Sequence, residues 1–227
     1  WSRGLGDVYK RQVIVSLPFR LGPYDVLRPI CAGRQALRYA AALAPASEQM
    51  PRLVTVAAVL PSGFGGTVPV DRISQQAAIV SQLSHVCIAE TFDTALDGEL
   101  TYVVEEYVDG VSVRDLNDAV SRAGGRWTPE LVAHLCSELA GALGYAHARR
   151  VESGELLGAV HGSVGLDAVL VSRAGDAKLA GWAWGDGATA TPADDVRSLA
   201  LLGVQLLTGA EIGAPIAPGA LAAAEVP

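Results

Sequence analysis

Residues 160–183 read V-H-G-S-V-G-L-D-A-V-L-V-S-R-A-G-D-A-K-L-A-G-W-A. Two short apolar runs, at 168–171 and 177–179, flank the turn sequence R-A-G-D at 173–176, and this pattern predicts a β-hairpin. A polar stretch containing glycines precedes the hairpin, and another glycine follows it. The segment therefore predicts a loop, a hairpin and a second loop in close succession.

The composition limits what the chain can be. It has 227 residues, of which 50% are hydrophobic, and a net charge of −7 at pH 7. Such a chain can bury a core in one large or two small lobes, and its charge offers no basic surface for nucleic acid or an anionic membrane. It shows no membrane-spanning run and no signal peptide. The three widely spaced cysteines predict reduced thiols in a cytoplasmic protein.

The two ends of the chain differ from the rest. Residues 2–12 show neither helical nor strand periodicity and resemble the translation of a DNA-library adapter, so we interpret residues 1–12 as a sequencing artefact. Residues 212–227 are rich in alanine and proline, which is typical of a linker or disordered tail, and we assign 210–227 to it.

The first half of the remaining sequence predicts strands around one helix. Strands are predicted at 24–30, 37–42, 53–60, 89–94 and 100–105, and a helix at 70–83. Asp97-Gly98 predicts a tight turn between the last two strands. Residues 61–67, which contain G-F-G-G, predict a flexible loop, with a phosphate-binding loop as the alternative.

Helices dominate after Gly110. They are predicted at 113–122, from the N-cap Thr128 and Pro129 with an apolar face that reaches Ala146, and from the N-cap Asp195 through Leu207 to a terminating Gly209.

A strand-rich lobe, a short hinge and a helical lobe form the plan of the protein kinases, and residues 160–183 resemble the kinase catalytic loop and metal loop. The family pattern there is H-R-D-x-x-x-x-N, a hairpin, then D-F-G. Further landmarks are V-E-E-Y-V-D-G-V-S-V at the hinge, L-G-Y-A-H-A-R-R ending the long helix and D-V-R-S-L-A-L-L-G-V-Q-L-L-T-G as the central helix. The chain is similar to bacterial Ser/Thr protein kinases, particularly myxobacterial-type members. The resemblance implies an α+β, bilobal kinase-like fold with an N-lobe at 13–106 and an incomplete C-lobe at 107–209.

Kinase chemistry needs a lysine on the phosphates, a glutamate that holds it, a base and magnesium ligands. The position of the lysine falls on Ala57 or Ala58, and we assign it to Ala58. The glutamate position holds Gln76 and the base position holds Ser163. The metal-ligand positions hold Ala168 and Gly181. The resemblance thus implies a degenerate catalytic site. No catalytic residue, bound metal or cofactor is expected.

The nucleotide cleft is reduced in the same way. Of the glycine-rich loop only Gly33 remains, and Arg38 replaces the small residue that would cover adenine. Glu105 falls at the gatekeeper position, where a buried carboxylate needs a partner such as Arg38. A shift of one residue, which would turn Glu105 to solvent, is the alternative. Glu106 and Val108 complete the remnant cleft.

Two aspartates lie near the lost metal positions. Asp167 and Asp186 are either displaced metal ligands or aspartates that satisfy turns. The segment 184–194 is short and no A-P-E follows it, so the platform for a protein substrate is also missing. His161 and Asp195, which support the backbone of the catalytic loop in the family, are retained.

The sequence therefore predicts a catalytically inactive kinase-like domain, a pseudokinase, which serves as a protein-interaction or allosteric module for unidentified partners in bacterial signalling. Neither nucleic acid nor membrane is an expected partner. Two alternatives stay open. One is a divergent Ser/Thr kinase or other ATP-using transferase with groups relocated around Asp167, Asp186 and Arg38. The other is a sensor that binds ATP without consuming it.

Overall fold

The computed structural model describes residues 19–32, 36–43, 53–60, 69–98, 100–182 and 190–210, without the side chains of residues 31 and 32. The interpretations of residues 1–12, of the loop at 61–67, of Gly33, of Asp186 and of residues 212–227 lie outside these ranges.

The described part of the first lobe contains a six-stranded antiparallel sheet. Its strands are β1 (Phe19–Leu21), β2 (Tyr24–Ala32), β3 (Ala36–Leu43), β4 (Leu53–Val59), β5 (Thr91–Asp97) and β6 (Leu100–Glu106). They lie in the order β1-β2-β3-β4-β6-β5. The five predicted strands are confirmed to within three residues at each end. Strand β1 was missed, because three residues are too few to show an alternating pattern.

Helix α1 (Val70–Val80) packs on one face of this sheet. Ile73 and Ala77 of the helix form a buried cluster with Ala57 and Val59 of β4 and with Val103 of β6. The helix ends three residues earlier than predicted. Its last turn tightens, because the backbone N–H groups of residues 82 and 83 donate to carbonyls three residues back.

The second lobe combines helices with a small sheet. Its described elements are β7 (Gly110–Ser112), α2 (Val113–Arg122), α3 (Pro129–Ala148), β8 (Val169–Ser172), β9 (Ala177–Leu179) and α4 (Pro192–Thr208). The strands pair in the order β7-β8-β9, with β8 and β9 forming the predicted hairpin. Thr128 caps α3 as predicted, since its side chain accepts a hydrogen bond from Leu131 N. Strand β7 was not predicted.

The start of α4 differs from the sequence prediction. Thr191 is the N-cap, and it forms a capping box with Asp194, whose carboxylate accepts a hydrogen bond of 2.9 Å from Thr191 N. Asp195, the predicted cap, instead lies in the first turn and is fully buried. Gly209 ends the helix as predicted, with a φ of 71° in the left-handed region.

The largest core is shared by the two lobes. Val80, Leu83 and Ile88, which follow α1, are buried in the same cluster as Leu139 of α3 and Leu202 of α4. The lobes therefore pack as one unit. Within the described ranges, no helix is both long enough and apolar enough to cross a bilayer.

Candidate functional site

The loop before the hairpin is held by one buried carboxylate. Asp195 Oδ2 accepts a hydrogen bond of 2.8 Å from His161 N, and Oδ1 accepts one of 2.7 Å from Gly162 N. His147 Nε2 lies 2.9 Å from Oδ2. Gly162 has a φ of 70°, a conformation that glycine adopts without strain. Asp195 thus fixes the backbone path of the loop from the first turn of α4.

His161 joins the loops on either side of the hairpin. Its Nδ1 accepts a hydrogen bond of 3.1 Å from Ser163 N, so the neutral ring carries its proton on Nε2 and donates to Ala180 O at 3.1 Å. The ring centroid lies 4.9 Å from that of Trp182 in an edge-on contact. Burial lowers the pKa of His161 to about 4, and the nearby Arg38 charge acts in the same direction.

This histidine predicts acid sensitivity. Between its ordinary pKa of 6.5 and its folded pKa of about 4, the unfolded chain binds a proton at His161 that the folded domain does not. The free energy of unfolding should therefore fall as pH decreases through this window, by on the order of 3 kcal/mol from this group. Urea unfolding at several pH values between 4 and 7 would measure it.

Glu105 has the opposite dependence, because burial raises its pKa. The contribution of His161 is therefore read as the difference between the wild-type slope and that of His161→Gln, which should be flatter. The variant of an exposed histidine, His134→Gln, serves as the control and should keep the wild-type slope. Equal slopes for the wild type and His161→Gln would contradict the prediction.

Arg38 of β3 and Glu105 of β6 form a buried ion pair within the first lobe. Arg38 Nε lies 3.7 Å from Glu105 Oε2, with side chains only 6% and 2% exposed. Glu105 Oε1 accepts a hydrogen bond of 2.9 Å from Gly181 N. The predicted burial of Glu105 and its pairing with Arg38 are confirmed, and the alternative in which Glu105 faces solvent is wrong.

The sheet register shows which residues share this face. Arg38 lies opposite Ala57, and Glu105 lies opposite Thr55 on the same strand as Ala57. Ala58 points to the other face, opposite Tyr102. Of the two residues considered for the lysine position, Ala57 is therefore the one on the side of the ion pair and of α1, and the assigned Ala58 is not.

Gln76 connects the lobes through a neutral hydrogen bond. Its Nε2 donates to Val160 O at 3.0 Å. The residue at the glutamate position therefore ties α1 to the loop that contains His161, rather than to β4.

The positions expected for a base and metal ligands offer few ligand atoms. Ser163 is exposed, while Ala168 is 8% exposed and Gly181 has no side chain. Both carboxylate oxygens of Asp167 are bound by Arg114, with a distance of 2.7 Å between Nη2 and Oδ2. In the described part of the chain, no group of three or more His, Cys, Asp or Glu side chains is placed to hold a metal ion.

Arg114 was missed by the sequence reading. It lies 53 residues from Asp167, so no local pattern signals the pair.

The hinge residues are also engaged. Lys178 Nζ lies 2.8 Å from Glu106 Oε1, and Val108 packs with Ala89, Leu170 and Ala180. Lys178 is one of only two lysines in the chain. Glu105, Glu106 and Val108 thus all have side-chain partners within the protein, and Glu106, next to Glu105 on β6, has a different set of them.

Comparison with known proteins identifies the architecture. No family model matches the chain. A single-mutant form of the Mycobacterium tuberculosis PknI kinase domain superposes with a TM-score of 0.75 at 20% identity, over 94% of this chain and 87% of that one. The PknI kinase domain without that mutation gives a TM-score of 0.71 at 21% identity, over 91% and 83%. The chain therefore has the bilobal α+β fold of protein kinase domains.

Proposed function

We propose that this chain is a catalytically inactive kinase-like domain, a pseudokinase, that works in the bacterial cytoplasm by binding protein partners. The observation that carries the proposal is the buried Arg38–Glu105 pair with Gly181 N bound to it. These three groups lie together at the positions that resemble the adenine-covering residue, the gatekeeper and the metal-binding aspartate.

The chemistry of the remaining groups supports inactivity. Phosphoryl transfer depends on positioning and on neutralising the charge of the phosphates. The hydroxyl of Ser163 stays protonated at neutral pH, and the loss of a general base alone costs about 10²- to 10⁴-fold in rate. Asp167, which is adjacent to Ala168 in the sequence, is bound by Arg114. No described group at the catalytic and metal positions replaces what Ala57, Ser163, Ala168 and Gly181 lack.

The ion pair also opposes nucleotide binding. A nucleotide that enters at the gatekeeper would separate Arg38 from Glu105 and leave a buried charge without its partner. Breaking such a pair costs about 3–5 kcal/mol, which corresponds to at least a roughly hundred-fold weaker affinity. We therefore expect ATP to bind poorly whether or not magnesium is present.

Phosphotransfer decides between these functions. Purified protein is incubated with radiolabelled ATP and magnesium beside the double variant Ser163→Ala/Asp167→Ala, and a general protein substrate is supplied to both. We expect no magnesium-dependent transfer above the double variant. Phosphotransfer above that of the double variant would contradict the proposal and favour the divergent kinase or transferase.

Nucleotide binding distinguishes the remaining alternative. A thermal shift assay with ATP, with and without magnesium, should leave the melting temperature unchanged. A shift without turnover would favour the ATP-binding sensor, and a shift that needs magnesium would favour the enzyme.

A further inference from the structure

Arg38 and Glu105 connect the first lobe to the second. Arg38 extends from β3 in the first lobe, and its Nη1 lies 3.5 Å from Asp167 O in the second lobe, 129 residues away. Glu105, also in the first lobe, accepts a hydrogen bond from Gly181 N in the second. One guanidinium and one carboxylate therefore each contact both a first-lobe and a second-lobe group.

The two charges depend on each other. Arg38 is 5% exposed and Glu105 is 1% exposed, so neither is effectively solvated by water. An isolated charge at such a depth is strongly unfavourable, and a paired one is tolerated only with good additional hydrogen bonding. Glu105 obtains it from Gly181 N, and Arg38 approaches the Asp167 carbonyl.

The residues around the pair leave room for the long arginine side chain. Ala57, directly opposite Arg38 on β4, has only a methyl group, and Gly181 has no side chain. Gly181 has a φ of 83°, where other residues are strained, so the backbone there can present its N–H to Glu105. The small residues at the lost catalytic positions thus help to form a space that a guanidinium fills.

We propose that this cleft is a guanidinium-binding site whose resident ligand is Arg38, and that this tethered ligand holds the two lobes closed as a bound nucleotide would. This inference goes beyond the proposed function, because it concerns the resting arrangement of the lobes and does not depend on a partner. The domain keeps one closed arrangement of its lobes without any added ligand.

Chemical rescue of Arg38→Ala tests the site. The variant removes the guanidinium and two methylenes, so ethylguanidinium has the shape of the missing group. We expect the variant to increase the equilibrium constant for unfolding at least about a hundred-fold. Millimolar ethylguanidinium should raise its melting temperature, whereas ethylammonium, a cation without the planar fork, should raise it much less. Wild type should gain from neither cation.

Arg28→Ala is the matched control. Arg28 is exposed on β2 and also bridges distant residues, since its Nη2 donates to Tyr107 OH at 2.6 Å across 79 positions. Arg28→Ala should change the equilibrium constant for unfolding by less than about five-fold. Ethylguanidinium should not change the melting temperature of this variant. The proposal is overturned if Arg38→Ala behaves like Arg28→Ala, or if ethylguanidinium is no better than ethylammonium.

A double variant covers the case in which Arg38→Ala does not fold. Arg38→Met/Glu105→Gln removes both charges, keeps similar volumes and leaves an amide oxygen for Gly181 N, so it should fold. Hydrogen exchange at residues 160–168 should be at least about ten-fold faster in it than in wild type, with exchange in α3 unchanged. Wild-type exchange rates in the loop would refute the closure of the lobes by Arg38. The phosphotransfer result is independent of all these readouts, so the two proposals can fail separately.

Discussion

Replacing Asp195 with alanine should destabilise the domain by about 3–5 kcal/mol, a large part of the roughly 5–15 kcal/mol of an ordinary domain. The carboxylate is fully buried and accepts hydrogen bonds from His161 N and Gly162 N, with His147 Nε2 also in contact. Alanine would leave both backbone N–H groups buried without acceptors. Urea unfolding followed by circular dichroism would measure the loss.

The neighbouring residue provides the control. Asp194 belongs to the capping box at the exposed start of α4. Asp194→Ala should cost much less, because water can replace the hydrogen bonds that this exposed capping box loses. If the two alanine variants have the same free energy of unfolding, the loop is not held by Asp195 in the manner described.

Trp182→Ala should lower the free energy of unfolding by about 3–5 kcal/mol, mainly because it leaves a cavity in the core. The side chain is fully buried in the shared core, its Nε1 donates to Leu179 O at 3.1 Å and its ring meets His161 edge-on. Trp182→Phe should cost roughly half as much, since it keeps an aromatic ring there. Equilibrium unfolding in urea would compare the three proteins.

A second measurement separates packing from the histidine. The cavity in Trp182→Ala would admit water to His161, so the pKa of this residue should rise toward its ordinary value of 6.5. The loss of stability on acidification should then be weaker than in wild type. A variant that is stable to within about 1 kcal/mol of wild type would contradict the role of Trp182 in the core.

Sequence reasoning predicted the parts of the fold that local patterns determine. Helix α2 has the predicted limits, and α3 begins at the cap and proline that predicted it. Both missed strands, β1 and β7, have three residues and depend on partners elsewhere in the chain. Their formation is decided by tertiary pairing rather than by propensity.

In the candidate site, too, some contacts could be predicted from the sequence and others could not. The Arg38–Glu105 pair could be anticipated, because a carboxylate at a buried position demands a counter-charge and few cations were available. The Asp167–Arg114 pair and the Gln76–Val160 hydrogen bond could not, since each joins residues far apart in sequence. Asp195 was misassigned as a cap by the local pattern, but its support of the loop backbone, which the resemblance implied, is confirmed by donors 33 and 34 residues upstream.

The shared core has a consequence for how such a domain can evolve. Val80, Leu83 and Ile88 belong by sequence to the first lobe but are buried against α3 and α4. A fragment that ended at the hinge would expose the apolar side chains of these three residues to solvent and would tend to aggregate. Combining the first lobe of one relative with the second lobe of another would also bring together side chains that do not fit in this shared core. We therefore expect substitutions on one side of this shared core to be accompanied by compensating substitutions on the other.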